Sequence, residues 1–190
     1  CIEVGAGVCR DFDHRGHGHS EGLNDYIPDP HQAVDDMARV FDSVRGEYPG
    51  LKFFVLGHSM GSMISMLFML KRQAEVDGWI SSGSPMNIAQ NARPLEIPVA
   101  RLLRGVIGKV RTRSISPDIV ARESDVIRAY RNDPLAPQRP VRVATSLAIL
   151  DGVDYARDRL IELRLPLLVI HGEVDTLIPV INGRELYEAS

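Results

Sequence analysis

Apolar residues along this chain follow two rhythms, and the predicted elements lie where one gives way to the other. Within residues 30–48, Ala33, Val34, Met37, Val40, Phe41 and Val44 recur at three- and four-residue intervals, which lays one apolar stripe along a helix. Asp29 stands where it can cap that helix, and Pro49-Gly50 stops it. Residues 51–56 (LKFFVL) form a compact apolar run of strand length, while residues 61–70 (GSMISMLFML) are apolar almost all round, which predicts a buried helix. Residues 7–12 (GVCRDF), 78–81 and 167–170 (LLVI) are further strand candidates. Strand and helix alternating at this spacing predict an α/β domain whose parallel sheet is joined by right-handed crossovers and covered by helices on both faces.

The alternation breaks down over residues 86–164. Helical patterns there are punctuated by Pro94, Pro98, Pro117, Pro134, Pro137 and Pro140, and no sheet strand is convincing. This predicts a helical insertion rising over the carboxyl edge of the sheet, where open α/β sheets place their ligands. Within it, IPVARLLRGVIGKVRTR mixes Ile97, Leu102, Leu103, Val106, Ile107 and Val110 with Arg101, Arg104, Lys109, Arg111 and Arg113, and contains no acidic residue. That is the composition of an amphipathic basic helix, whose face is either simply solvated or meets a lipid surface.

Composition narrows the class without naming a function. A chain of 190 residues with 44% hydrophobic and 25% charged residues suits one globular domain, spanning 1–190. No run approaches the roughly 18 apolar residues of a membrane span. A formal charge of -3 gives no overall attraction to nucleic acid. Cys1 and Cys9 are the only cysteines, so neither a disulfide framework nor zinc-ligand spacing is present. The opening CIEVGAGVCR has neither an initiating Met nor the pattern of a signal peptide, and it reads as a chain entered in mid-fold.

Candidate chemistry gathers at the junction GHSMG, between the apolar run 51–56 and the buried helix. Ser59 between Gly57 and Gly61 fits a nucleophile elbow, a sharp strand-to-helix turn whose flanking residues must be small. The alternative is a plain glycine turn with Ser59 as N-cap. In the elbow, the Met60 amide at the helix start is an oxyanion donor. Asp175 in HGEVDTLIP follows a strand end on the same sheet edge, and it is either the acid of a triad or a turn aspartate. Met60, Met63, Met66 and Met69 recur every three residues, a stripe that reads as adaptable core packing before it reads as a ligand surface.

DHRGHGHSEG, GHSMG, ARESDVIRAYRNDPL and LPLLVIHGEVDTLIP, in that order, resemble the α/β-hydrolase-fold monoacylglycerol lipases and lysophospholipases, which are grouped with the serine aminopeptidase-like hydrolases. The resemblance covers nearly the whole chain. It implies Ser59 as nucleophile, Asp175 as acid, Met60 as oxyanion amide and residues 86–164 as a lipid-facing cap, with a lipid ester as substrate, no cofactor, no metal and no nucleic acid partner. It further implies a cytoplasmic or membrane-peripheral protein.

The same resemblance calls for a His-Gly oxyanion motif on a strand before DHRGHG and for a histidine after the acid. Neither falls within these 190 residues. His58 should diverge from Ser59, and His171 should be structural. His14, His17 and His19 belong to the family's loop pattern, and His31 should lie exposed at a helix start. The expectation is therefore a fragment, lacking N-terminal strands and a C-terminal strand and helix, with little hydrolysis of its own. A non-catalytic lipid- or partner-binding protein and a small-ester esterase or peptidase of the same fold are the alternatives.

Overall fold

The Asp29 carboxylate accepts a hydrogen bond from the His31 amide at 2.9 Å, and Pro30 fills the first helical position, so α1 (Pro30–Glu47) begins where its sequence caps it. This computed structural model describes residues 7–87, 95–112, 116–135 and 140–190. After α1 come β1 (Phe54–His58), α2 (Met60–Arg72), β2 (Gly78–Ser82), α3 (Glu96–Leu102), α4 (Arg104–Ile107), α5 (Pro117–Val120), α6 (Ser124–Asn132), α7 (Val143–Arg157), β3 (Leu167–Ile170) and α8 (Ile181–Ala189). The strands are parallel in the order β1-β2-β3, with Phe54 opposite Gly78 and Trp79 opposite Leu167.

α2 is the centre of the core. It packs on β1 and β2 on one side and on α1 and α7 on the other, with Met63, Ile64, Met66, Leu67, Phe68 and Met69 buried. Trp79 of β2 is buried against it, its indole N–H donating to the Ser65 hydroxyl at 2.9 Å. Three of the four striped methionines are thus core, and only Met60 at the turn is half-buried.

Several expectations need correction. Residues 7–12 form no strand. They line an apolar groove of about 430 Å³ together with residues of α1 and β1, and they enter no ladder. The strand expected at residues 51–56 starts later, because pairing with β2 begins only at Phe54. Helices were predicted on both sheet faces, yet among the described residues Phe54, Leu56, Leu168 and Ile170 are exposed on the face opposite Trp79. His31 is half-buried, with its ring edge-on to Tyr155 of α7 at 5.0 Å.

The basic segment is not one helix. It breaks at Leu103 into α3 and α4. Arg101 and Arg104 reach Asp151 of α7, and Arg101 also reaches Asp154. Ion pairing therefore turns Arg101 and Arg104 toward α7, while Leu102, Leu103, Val106 and Val110 are exposed. Pro94, Arg113 and Pro137 lie outside the described residues. Of the interval 86–164, α7 packs into the core against α1 and α2, and an isolated antiparallel bridge joins Arg111 to Arg142.

The loop DHRGHGHSEG is held onto α1 by a two-pronged bond from Arg15 to Asp36, at 2.6 and 2.7 Å. Arg15 keeps the Asp36 carboxyl below its ordinary range, and burial followed by repulsion from His17 keeps the His14 imidazole below the ordinary 6.5. Both groups have a folded-state value below the unfolded one, so each contributes stability that is present above its unfolded value and lost as pH falls through the folded value. The melting temperature is expected to fall as pH drops below about 6.5, first through His14 and then, in the carboxylate range, through Asp36. In His14→Gln the first part of that decline should disappear, as thermal melts between neutral and mildly acid pH would show.

Candidate active site

β1 passes into α2 through one residue. The Ser59 amide donates to the Ser82 carbonyl at 2.9 Å and so continues the parallel ladder, while the Ser59 carbonyl accepts from Ser62 and Met63 and starts the helix. Serving both elements forces φ 51° and ψ -118°, a conformation that costs a non-glycine residue on the order of 1–3 kcal/mol. The Ser59 side chain makes no capping hydrogen bond, which distinguishes it from a serine whose task is to cap a helix. It is half-buried at the carboxyl edge of the sheet. The Met60 amide stands ahead of the first intrahelical bonds, at the positive end of α2.

The two flanking glycines are not equivalent. A Cβ on Gly57 would lie 2.3 Å from the Gly61 carbonyl oxygen and 2.4 Å from the Ser65 hydroxyl, so β1 and the first turn of α2 touch there. A Cβ on Gly61 meets nothing within 4 Å among the described residues. Among the described residues steric crowding therefore bears on Gly57 and not on Gly61. Gly57→Ala should separate strand from helix and lower stability by about 1–3 kcal/mol, whereas Gly61→Ala should leave it unchanged or slightly raised. Denaturant unfolding of the two variants checks this.

β3 delivers the acid candidate to the same edge. His58 and Ile170 are both registered opposite Ser82, so Ser59 and His171 leave the sheet at one level, roughly 10 Å apart across two strand spacings. Beyond His171 the chain turns, with the Asp175 amide donating to the Gly172 carbonyl at 3.2 Å. Oδ1 of Asp175 accepts from the Leu177 and Ile178 amides, each at 2.9 Å. Its second oxygen is 3.9 Å from Nε2 of His171, beyond hydrogen-bond range.

The histidines are placed as follows. The ring of His58 turns across the sheet to the Ser82 hydroxyl, at 3.1 Å, and His171 is bonded to the Ile178 carbonyl. His17 is bonded through its ring to the Arg15 carbonyl, and the His19 amide to the Asp13 carboxylate. Sequence reasoning missed the long-range polar contacts of residues 86–164. Buried Asn182 accepts from the Asn87 amide and donates to the Pro179 carbonyl, and Arg157 donates to the Met86 carbonyl. Thr145 likewise bridges the Ile27 amide and the Asp25 carbonyl from 118 and 120 residues away. Such contacts carry no spacing signal, because their partners meet only after the chain has folded.

The sequence profile of the serine aminopeptidase family S33 matches residues 5–190. The chain belongs to this family. Among its relatives, the monoacylglycerol lipase of Mycolicibacterium smegmatis is 30% identical over 177 residues, covering 93% of this chain and 63% of that protein. The human monoglyceride lipase is 31% identical over 167 residues, covering 87% of this chain and 55% of that protein. The crystal structure of Paleococcus ferrophilus monoacylglycerol lipase superposes with a TM-score of 0.79 at 20% identity, over 94% of this chain and 66% of that one. At that identity the likeness establishes the α/β-hydrolase fold. The chain spans between 55 and 63% of the two sequence relatives' length. Among the described residues no helix is long and apolar enough to cross a membrane.

Proposed function

We propose that the intact protein carrying this S33 chain is a serine hydrolase that cleaves carboxylic esters of fatty acids, with monoacylglycerols or lysophospholipids as its substrate class. The observation that carries the proposal is the strained, uncapped Ser59 at the carboxyl edge of the sheet. In the mechanism, the Ser59 hydroxyl attacks the acyl carbonyl as a histidine takes its proton. The oxyanion that develops accepts from the Met60 amide, and Asp175 steadies the imidazolium through its second oxygen. The histidine then protonates the leaving alcohol, and water releases the acyl group. The mechanism calls on no metal or organic cofactor. No histidine follows Asp175 within these 190 residues, so turnover by this segment alone is expected to be negligible.

The test is the initial rate of the intact protein on monoacylglycerols and on p-nitrophenyl esters of graded chain length. A preference for long acyl chains supports the substrate class, and a preference for short ones points to a small-ester esterase. Lipid binding without turnover would instead mark a non-catalytic member of the fold.

The cap is also the part we assign to lipid contact. Leu102 and Val106 are 84% and 82% exposed, and Leu95 beside them is exposed as well, while Arg101 and Arg104 are taken up by α7. An apolar face pointed outward on short helices suits the boundary of a bilayer. Leu102→Asp combined with Val106→Asp should weaken sedimentation with zwitterionic vesicles by about tenfold or more, given what burying two such side chains is worth. Unchanged sedimentation would remove the assignment.

A further inference from the structure

We propose that His171 is a positioning residue for Asp175, an inference that rests on Asp175 being the acid of the reaction proposed above. His171 is the first residue beyond β3, and its side chain is only 4% exposed. Its Nε2 lies 2.7 Å from the Ile178 carbonyl oxygen. An oxygen with no hydrogen can only accept, so Nε2 carries the proton and donates. That bond closes the excursion from 171 to 178. The peptide groups around Ile178 are shared, since the Ile178 amide holds Oδ1 of Asp175 and the Ile178 carbonyl is held by His171. His171 therefore acts on the carboxylate through the backbone, at a separation of 3.9 Å that excludes a direct bond.

Packing alone does not account for a histidine here. Nδ1 is buried with no hydrogen-bond partner among the described residues, an expense that an apolar side chain of similar size would avoid. The ring is also confined. A Cβ on Gly183, in the first turn of α8, would come within 2.8 Å of Nδ1 and 3.1 Å of Cγ. A ring clamped on one side and donating on the other sets where the 171–178 turn can go, and with it the oxygen that Asp175 presents to a histidine.

Steady-state kinetics of the intact protein on a p-nitrophenyl ester test this. His171→Leu should lower kcat by about tenfold or more with KM nearly unchanged, because a carboxylate displaced by a fraction of an ångström misaligns the base without altering substrate binding. His171→Gln, which keeps an N–H for the Ile178 carbonyl, should recover much of the loss. In an Asp175→Asn background, His171→Leu should add little further loss, since both act through one group. A kcat within about twofold of wild type for His171→Leu, or losses that multiply in the double variant, would overturn the inference while leaving the reaction itself standing. Full activity of Asp175→Asn would overturn both. Should His171→Leu fail to fold, Gly183→Ala keeps the histidine and presses on its ring; it should lower kcat severalfold and be non-additive with Asp175→Asn, and an unchanged kcat there overturns the inference.

Discussion

Ser59→Ala in the intact protein is expected to abolish labelling by a fluorophosphonate probe and to lower ester turnover by roughly 10⁴–10⁶-fold, the loss usual when a hydrolase loses its nucleophile. Labelling that persists would point to a different nucleophile. Stability offers a second check, because the strain at φ 51° belongs to the backbone. Alanine keeps a Cβ and with it the strain, so Ser59→Ala should melt close to wild type. Ser59→Gly removes the Cβ and should gain up to about 1 kcal/mol while remaining inactive. A variant that is more stable and catalytically dead would locate strain and chemistry at one residue. Equal melting of all three would mean that the turn is relaxed.

The second large effect is expected at Asp175. Asp175→Asn should lower kcat by roughly 10³–10⁴-fold with little change in the melting temperature. The reason lies in the division of labour between its oxygens. An asparagine can keep its carbonyl on the Leu177 and Ile178 amides, so the turn survives, but it then offers an N–H where the second carboxylate oxygen stood. A histidine meeting that donor is held in the wrong tautomer and its imidazolium loses a counter-charge. Asp175→Ala should lose both the turn bonds and the charge, and so fall in stability as well as rate. Unchanged kcat in Asp175→Asn would make this residue the turn aspartate that its loop position also allows.

How much of this was legible in the chain differs from element to element. α1 was readable to its cap because helix periodicity and the Asp29–Pro30 start are local properties. α2 was readable because a run apolar on every side has nowhere to go except the interior, and its methionines follow. The elbow was readable as a pattern, yet the difference between Gly57 and Gly61 was not, since it depends on how closely one turn of α2 approaches β1. Residues 7–12 looked like a strand by composition, but a strand exists only with a neighbour at ladder distance, and composition does not report neighbours.

The basic segment makes the same point from the side of charge. Its arginines read as a solvated or lipid-facing surface, because nothing local reveals that Asp151 and Asp154, some fifty residues later, will draw them inward. His171 read as a structural histidine near a strand end, and only its bond to Ile178 and the wall at Gly183 show which turn it governs. By itself the sequence determined the alternating α/β elements, the elbow serine and the presence of an aspartate past β3, all set by interactions within a few residues. The tertiary structure alone decided which glycine is sterically crowded, which way Arg101 and Arg104 point and what holds Asp175, because each of these depends on how closely backbone turns and side chains approach once the chain has folded.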